Sequence, residues 1–360
     1  MKKKIALVFG GRSAEHEVSI ISASYIYDAI DKTLFDPFLI GISKEGSWYH
    51  FTDSEVFKKY KSITDAIMMG QNLVSLLSFH EKTYMLVLKT QEKIALDCAF
   101  PIVHGTMGED GTLQGYFKIL NLPYVGCGVL SSSLGMDKEY MKRLLTAAKI
   151  PNSKFVTIKK DEDYLYADIV KQIGSPFFIK PANAGSSVGV HKIKNELDFT
   201  TKINDTFLYD HKALAEEFIN GREIECSVLG HSHHPKASLP GEVVVKHEFY
   251  SYEAKYIDPD GAITQIPAKI SSDETHNIQD LAIKTFKVLS CDGMARVDFF
   301  LKTDGSIYVN EINTLPGFTQ ISMYPKMWQA SGIPYKDLIT NLINLAFEKH
   351  ISDNQLKHSF

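Results

Sequence analysis

Residues 294–313 constrain the chain more than any other stretch. Two strand-like runs, Met294-Ala-Arg-Val-Asp-Phe-Phe-Leu301 and Ile307-Tyr-Val-Asn-Glu-Ile-Asn313, flank Thr303-Asp304-Gly305-Ser306. Asp-Gly between such runs is a strong hairpin signal. With Asp304-Gly305 as a two-residue turn, Asp298 stands opposite Glu311 and Arg296 opposite Asn313. Side chains alternate across a strand, so these four share one face. The other face carries Val297, Phe299, Tyr308 and Ile312, suited to a core. Two carboxylates directly opposite each other repel. A hard divalent cation, typically Mg²⁺ sharing phosphate oxygens, offsets that repulsion, and Asn313 adds an amide oxygen. The alternative is a shifted register with one carboxylate on the surface. Four polar groups gathered opposite an apolar face speak against it.

The chain's 360 residues suffice for two or three domains. At 44% hydrophobic and 23% charged it can bury sizeable cores, which excludes wholesale disorder. A formal charge of −4 argues against a nucleic-acid grip driven by bulk charge. No apolar run approaches the roughly 20 residues of a membrane helix. The apolar stretch Ile5–Phe9 behind Met1-Lys-Lys-Lys is too short for a signal peptide. Cys98, Cys127, Cys226 and Cys291 lie far apart without C-x-x-C spacing and read as reduced, buried thiols rather than disulfides or zinc ligands. His231, His233 and His234 read as surface residues of a polar turn.

Residues 3–9 read as a buried parallel strand ending at Gly10-Gly11, after which Ser13 can cap a helix with Glu15 and Glu17 in its first turn. Further strands are expected near 36–43, 83–88 and 97–103, giving an open α/β sheet in the first third. Glycine loops at 104–115 and 126–136 lead into helices, Ser131, Ser132 and Ser133 cap the next one, and a charged helix covers Asp137–Lys149. From 152 the texture becomes α+β: strands at 154–158, 176–180, 189–193, 212–217 and 223–230, with helices at 161–173 and from 195. A helix at 273–290, strands at 293–301 and 306–312, and helices near 321–329 and 334–350 complete the chain. The aromatic, charged and turn-rich stretch 246–262 suits a long functional loop.

Several clusters carry chemistry of their own. In Lys180-Pro-Ala-Asn-Ala-Gly-Ser-Ser-Val-Gly189, backbone N–H groups with the Ser186 and Ser187 hydroxyls can cradle phosphate, and Lys180 adds a point charge. The spacing is not that of a P-loop, and a surface hairpin is the bland alternative. Gly10-Gly-Arg-Ser-Ala-Glu15 lacks the dinucleotide fingerprint, so it reads as a βα turn or a substrate site at the strand ends. His104-Gly-Thr-Met-Gly-Glu-Asp-Gly111 also follows a strand; taken singly, His104 reads as a structural histidine and Glu109 and Asp110 as loop-shaping. Glu216-Glu-Phe-Ile219 and Gly221-Arg-Glu223 read as an ordinary strand and turn, or as a hinge reading an adenine edge and ribose hydroxyls.

Taken in order, these blocks resemble the D-alanine–D-alanine ligase family of the ATP-grasp superfamily. The resemblance covers nearly the whole chain. It rests on Phe9-Gly-Gly-Arg-Ser-Ala-Glu-His-Glu-Val-Ser19, His104–Gly115, Met136-Asp-Lys138 and Lys180–Gly189, then on Tyr252-Glu-Ala-Lys-Tyr256, Ala295-Arg-Val-Asp298 and Asn310-Glu-Ile-Asn-Thr-Leu-Pro-Gly317. Each block is moderately specific; their order and combination are highly specific.

The resemblance implies a three-domain ATP-grasp architecture, mixing α/β and α+β. An N-terminal domain with an open parallel sheet covers 1–127, a central domain 128–216, and a C-terminal domain with metal site and lid loop 217–360. It implies ATP-dependent ligation of two D-alanines through an acyl phosphate, for peptidoglycan precursors, cell wall biogenesis and cell shape. The implied cofactors are ATP and two Mg²⁺ (or Mn²⁺) held by Asp298, Glu311 and Asn313. By the same resemblance Lys138, Lys180 and Ser187 contact ATP phosphates, Lys255 sits near the transferring phosphoryl group, and Glu216 with the backbone of Glu217, Phe218 and Ile219 holds adenine. Glu223 takes the ribose, Arg296 and the Gly317 N–H the oxyanion, and Glu15 the first substrate's ammonium, with His104 close by. Ser322 and Met323 seat the second substrate's carboxylate, while Ser186 and Tyr256 link to Glu15 and help the 246–262 loop close as a lid. A homodimer formed through the N-terminal domain and a cytoplasmic location, with no nucleic acid and no membrane, complete the expectation.

Tyr256 resembles the dipeptide-forming branch, which favours D-alanine over D-lactate as second substrate. The alternatives are a D-Ala-D-Lac or D-Ala-D-Ser ligase, another ATP-grasp carboxylate–amine ligase, or a non-catalytic nucleotide-binding module. The intact Asp298, Glu311, Asn313 and Lys180 set argues against the last. A nicotinamide oxidoreductase is countered by the missing fingerprint.

Overall fold

The computed structural model describes residues 1–59, 72–80, 82–185, 188–245 and 262–357. Among these the chain builds three sheets. The first contains β1 (Lys3–Gly10), β2 (Phe35–Ile42), β3 (Trp48–Phe51), β4 (Asn72–Phe79), β5 (Lys82–Val87), β6 (Glu92–Leu96) and β7 (Cys98–Pro101), in the order β6-β5-β4-β3-β2-β1-β7. The apolar β1 is buried at its centre and pairs in parallel with β2 and β7. From β2 to β6 the pairing is antiparallel. The expected parallel sheet is therefore the parallel end of a mixed one. Sequence reading missed β3, β4 and β6, whose half-buried alternation is a weaker signal than a continuous apolar run.

Helix α1 (His16–Ala29) leaves the carboxyl end of β1 with Glu15 at its N-cap. Ser13, the expected cap, lies two residues before the observed one: its hydroxyl accepts the Glu15 N–H (3.0 Å) and its carbonyl the His16 N–H (3.3 Å). After α2 (Val56–Lys59) come α3 (Thr112–Ile119), α4 (Val129–Met136) and α5 (Lys138–Ala147). Ser131, Ser132 and Ser133 lie inside α4 rather than capping it, and Ser133 Oγ donates to the Asp110 carbonyl (2.7 Å). Asp137 caps α5 by accepting the Glu139 and Tyr140 N–H groups.

The second sheet holds β8 (Phe155–Lys159), β9 (Phe177–Pro181), β10 (His191–Ile193) and β11 (Lys212–Glu217), in the order β10-β9-β11-β8. Helices α6 (Tyr166–Ile173) and α7 (Glu196–Thr206) cover one face, where Ile169 and Phe199 pack on Phe177, Ile179, Ala213 and Ala215. Period-two alternation sends Lys180 and Glu216 to the other face.

The third sheet holds β12 (Arg222–Gly230), β13 (Lys236–Ala237), β14 (Gly241–Val245), β15 (Ala262–Gln265), β16 (Gly293–Leu301) and β17 (Ile307–Asn313), in the order β15-β14-β12-β16-β17 with β13 beside β12. Helix α8 (Ser272–Val288) begins with a Ser271–Glu274 capping box and covers the core face through Ile278, Ala282 and Phe286. Helices α9 (Met323–Ala330) and α10 (Tyr335–Asn354) turn back: Trp328, Leu338 and Leu342 share a core with Ile5, Leu7 and Phe100 of the first sheet. That shared core fixes the first sheet against the third. All four cysteines are free and buried. No described helix is long and apolar enough to cross a membrane.

The polar turn after β12 has more structure than a surface loop. His233 and His234 are exposed, but His231 is partly buried and sits between Asp292 Oδ1 (2.9 Å) and Glu348 Oε2 (3.0 Å). Burial opposes its charge, yet the two carboxylates hold it above the ordinary histidine value. A raised folded value stabilises the protein fully below the unfolded value of about 6.5. The contribution is lost as pH rises through the folded value. His231→Gln is therefore expected to cost more thermal stability near pH 6 than near pH 9, by about 1 kcal/mol or less because Glu348 lies in solvent and its pairing is screened.

Candidate active site

The 294–313 ribbon pairs Arg296 with Asn313 and Asp298 with Glu311, as the sequence requires. It arrives there by a different route. Leu301 pairs with Ile307, Lys302 N–H donates to the Ser306 carbonyl (2.9 Å), and Gly305 has φ +82°. The turn is thus a three-residue loop with a left-handed glycine, not the expected two-residue turn. A bulge then restores the register: Phe299 pairs with Val309, and Asn310 is the extra residue before Glu311. The bulge also moves Tyr308 off the core face. Val309, fully buried beside Val297, Phe299 and Ile312, takes the place expected for Tyr308, which pairs with Phe300 instead.

The opposite face of the sheet is a polar grid. Strand β12 pairs with β16 so that Ser227, Arg296 and Asn313 form one row. Glu225, Asp298 and Glu311 form the next, and Glu223, Phe300 and Tyr308 a third. Arg296 ties the middle row together. Its guanidinium grips Asp298 in a bidentate pair (Nε–Oδ1 2.7 Å, Nη2–Oδ2 2.8 Å), and Nε lies 3.0 Å from Glu225 Oε2. Burial opposes its charge, but Asp298 and Glu225 hold it well above even the usual arginine value. Glu225 escaped sequence reading because its alignment with Asp298 depends on a pairing between strands far apart in the chain.

Asn313 Nδ2 donates to Asp298 Oδ2 (3.0 Å), and Lys138 Nζ lies 4.0 Å from Glu311 Oε2. Among the described residues no three His, Cys, Asp or Glu side chains converge as a complete metal cage. Two carboxylates and an amide oxygen on one face are nevertheless hard donors that fit Mg²⁺, which commonly completes its shell with water and phosphate oxygens.

The grid forms one wall of a cleft of about 750 Å³. Glu15 and His104, from the carboxyl ends of β1 and β7, line the same cleft. A Cβ on Gly105 would lie 2.6 Å from Ser13 Oγ and 2.9 Å from Glu15 Oε2, and one on Gly185 3.4 Å from Glu15 Oε2. Three glycine loops therefore meet around the Glu15 carboxylate. Gly105 also has φ +76°. Gly105→Ala is expected to destabilise the fold by about 1–2 kcal/mol, read as a lower melting temperature. Buried His104 contacts Ser22 Oγ (3.1 Å) and Glu109 Oε1 (3.3 Å). Burial disfavours its charged form, but Glu109 and Glu15 outweigh that and hold its pKa above the ordinary value. Burial, with the charge of Glu15, pushes Glu109 up as well. His104 is both a satisfied histidine and a cleft residue.

Across from the grid, α5 presents lysines to the second sheet. Lys138 Nζ donates to the Ala184 carbonyl (2.7 Å) at the glycine–serine loop. Lys180 Nζ is 2.9 Å from Glu216 Oε1. Lys142, which sequence reading overlooked, is fully buried and reaches Glu216 Oε2 at 3.4 Å. Lys180 and Glu216 do not line the 750 Å³ cleft; they cluster with Lys142, one helical turn beyond Lys138 on α5. Glu217 N–H donates to the Lys154 carbonyl (3.0 Å), and its carboxylate accepts the Lys154 N–H (2.8 Å), so that backbone donor is committed within the fold. Phe218 is exposed.

Gly317, Ser322 and Met323 also line the cleft. A Cβ on Gly317 would come within 2.8 Å of Ser322 Oγ. Ser322 Oγ in turn accepts the Thr319 N–H (2.9 Å). Met323 packs with Val243 and Met327. Ser186, Ser187, Lys255, Tyr256 and nearly all of the 246–262 loop lie outside the described residues.

Two family models match the chain: "D-ala D-ala ligase N-terminus" over residues 4–127 and "D-ala D-ala ligase C-terminus" over 144–344. A D-alanine–D-alanine ligase of Oceanobacillus iheyensis is 49% identical, covering 100% of this chain and 99% of the relative. Among solved structures, the D-alanine–D-alanine ligase of Coxiella burnetii superposes with a TM-score of 0.89 at 39% identity, covering 98% of this chain and 96% of that one. The VanG D-Ala:D-Ser ligase of Enterococcus faecalis superposes at 0.86 with 36% identity, covering 96% and 100%.

Proposed function

The chain belongs to the D-alanine–D-alanine ligase family, and we propose that its cleft residues divide the work between substrate binding, phosphoryl transfer and oxyanion stabilisation. The reaction is the ATP-dependent joining of two D-alanines into D-alanyl-D-alanine for peptidoglycan synthesis. The observation that carries the proposal is the polar grid of Arg296, Asp298, Glu311 and Asn313 facing Glu15 and Lys138 across one cleft.

Glu15 pairs with the ammonium of the first D-alanine and turns its carboxylate toward the grid. That carboxylate attacks the γ-phosphorus of ATP, and ADP leaves. Phosphoryl transfer is mostly positioning and charge neutralisation, which Lys138 and Lys180 supply from α5 and β9. Asp298, Glu311 and Asn313 would hold two Mg²⁺, which neutralise the developing phosphate charge when bound. The amine of the second D-alanine then attacks the acyl carbon. Arg296 and the Gly317 N–H stabilise the resulting oxyanion, and phosphate departs as the peptide bond forms. Ser322 and Met323 seat the second carboxylate. Glu216 with the backbone of Phe218 and Ile219 holds adenine, and Glu223, two residues from the metal row on β12, takes the ribose. Lys255, Ser186, Ser187 and Tyr256 keep the roles that family resemblance assigns them.

We extend the proposal to domain limits at 1–127, 128–216 and 217–360, which keep each sheet within one domain but for Glu217, the last residue of β11. A homodimer and a cytoplasmic location follow from resemblance to the family, and sedimentation of the purified chain tests the first. The function is tested by mass spectrometry of the product formed from Mg-ATP and a mixture of D-alanine, D-serine, D-lactate and L-alanine. D-alanyl-D-alanine is expected to dominate. A dominant D-Ala-D-Ser or D-Ala-D-Lac product, or faster turnover of L-alanine, overturns the substrate assignment.

A further inference from the structure

Lys142 has no exposed surface, a costly position for an ammonium. It lies one helical turn beyond Lys138 on α5, so both amines leave the same face. Its Nζ donates to Ser153 Oγ (2.7 Å) and lies 3.4 Å from Glu216 Oε2. Ser153 Oγ donates to the same Oε2 (3.2 Å), while Lys180 takes Oε1 at 2.9 Å. All four residues are buried. Burial pulls Lys142 down to about 8 against the attraction of Glu216, and Lys180 adds to the fall. Burial pushes Glu216 up, but Lys142 and Lys180 outweigh it and keep the carboxyl below its ordinary value.

Two ammoniums share one carboxylate, so the cluster carries an excess positive charge away from water. An apolar residue at 142 would leave a neutral Lys180–Glu216 pair and a cheaper core, since buried charges seldom stabilise a fold more than well-packed apolar groups do. Packing therefore gives no account of this lysine. Its effect is on Glu216. With Lys142 and Ser153 on one oxygen and Lys180 on the other, the carboxylate is fixed in orientation and kept as an acceptor only.

We propose that Lys142 is a positioning residue for nucleotide selection, locking Glu216, with Ser153, as an ionised acceptor for the 6-amino group of adenine. The inference rests on the reading of Glu216 as an adenine contact. An ionised carboxylate accepts from a 6-amino group and repels the 6-oxo group of hypoxanthine. A Glu216 freed from Lys142 is able to turn or take up a proton, and then discriminates less.

The test compares ATP with ITP as phosphoryl donor, at saturating D-alanine, in the full-length wild type, Lys142→Met, Lys142→Gln, Ser153→Ala and Glu216→Gln. Lys142→Met is expected to raise the KM for ATP about tenfold, with kcat changed less, and to leave kcat/KM for ITP nearly unchanged. The ATP-to-ITP preference thus falls, and the KM for D-alanine does not move. Lys142→Gln and Ser153→Ala are expected to shift the preference in the same direction by smaller amounts, which keeps the test open if Lys142→Met does not fold. Equal losses for ATP and ITP in the Lys142 and Ser153 variants would mean a structural role and overturn the inference. An unchanged preference in Glu216→Gln would overturn the adenine reading and the inference with it. A changed preference in Glu216→Gln with none in the Lys142 or Ser153 variants would overturn the inference alone.

Discussion

Glu311→Gln is expected to reduce ligation at least about a thousandfold while leaving the fold intact, because the lost charge is needed only once nucleotide and metal are bound. Glu311 stands directly opposite Asp298 on the neighbouring strand, and the substitution removes one charge of a repelling pair. Lys138 Nζ lies 4.0 Å from its Oε2. The melting temperature is therefore expected to stay level or rise. Steady-state ADP release together with a thermal melt checks both halves. Turnover near the wild-type rate would remove Glu311 from the metal site. A collapsed melt would make it a structural residue.

Arg296→Met combines the two effects. The guanidinium neutralises Asp298 through two hydrogen bonds and Glu225 through a third contact. Removing it leaves two adjacent, largely buried carboxylates without their cation, a change that typically costs about 3–5 kcal/mol. The catalytic loss is expected to be about 100- to 1000-fold, the usual effect of deleting an oxyanion donor. The pH dependence separates the causes. Burial and mutual repulsion raise the folded-state pKa of the two uncompensated carboxylates, so they destabilise the variant increasingly as pH climbs above the unfolded carboxyl value. The stability deficit is thus expected to shrink near pH 5 and widen near pH 8, in denaturant titrations against the wild type. The catalytic deficit persists at both. Arg296→Lys is expected to recover part of the stability and little of the rate, because a single ammonium cannot span Asp298 in bidentate fashion.

The ribbon shows how far sequence reading reaches. The pairing of Asp298 with Glu311 was legible, but from a two-residue turn that the chain does not form. A three-residue loop shifts the register one way, and the bulge at Asn310 shifts it back before the site is reached. Tyr308 lies between the two irregularities, which is why its face alone came out wrong. Glycine loops after β1 and β7 were legible as strand-end sites because a local motif marks them, and the structure brings both to Glu15. Glu225 and Lys142 were not legible. Each acquires its meaning from a contact that no local pattern encodes: Glu225 from the lateral pairing of β12 with β16, Lys142 from the packing of α5 against β11. The start of α1 was misjudged by two residues because Ser13 satisfies the preceding turn and leaves Glu15 at the cap.

The account turns on activation of a D-alanine carboxyl group by phosphoryl transfer in this cleft. Incubating the protein with Mg-ATP and D-alanine labelled with ¹⁸O in both carboxylate oxygens tests it directly. Inorganic phosphate carrying a labelled oxygen, released in step with dipeptide, is the expected result. Dipeptide accompanied by unlabelled phosphate would contradict the account.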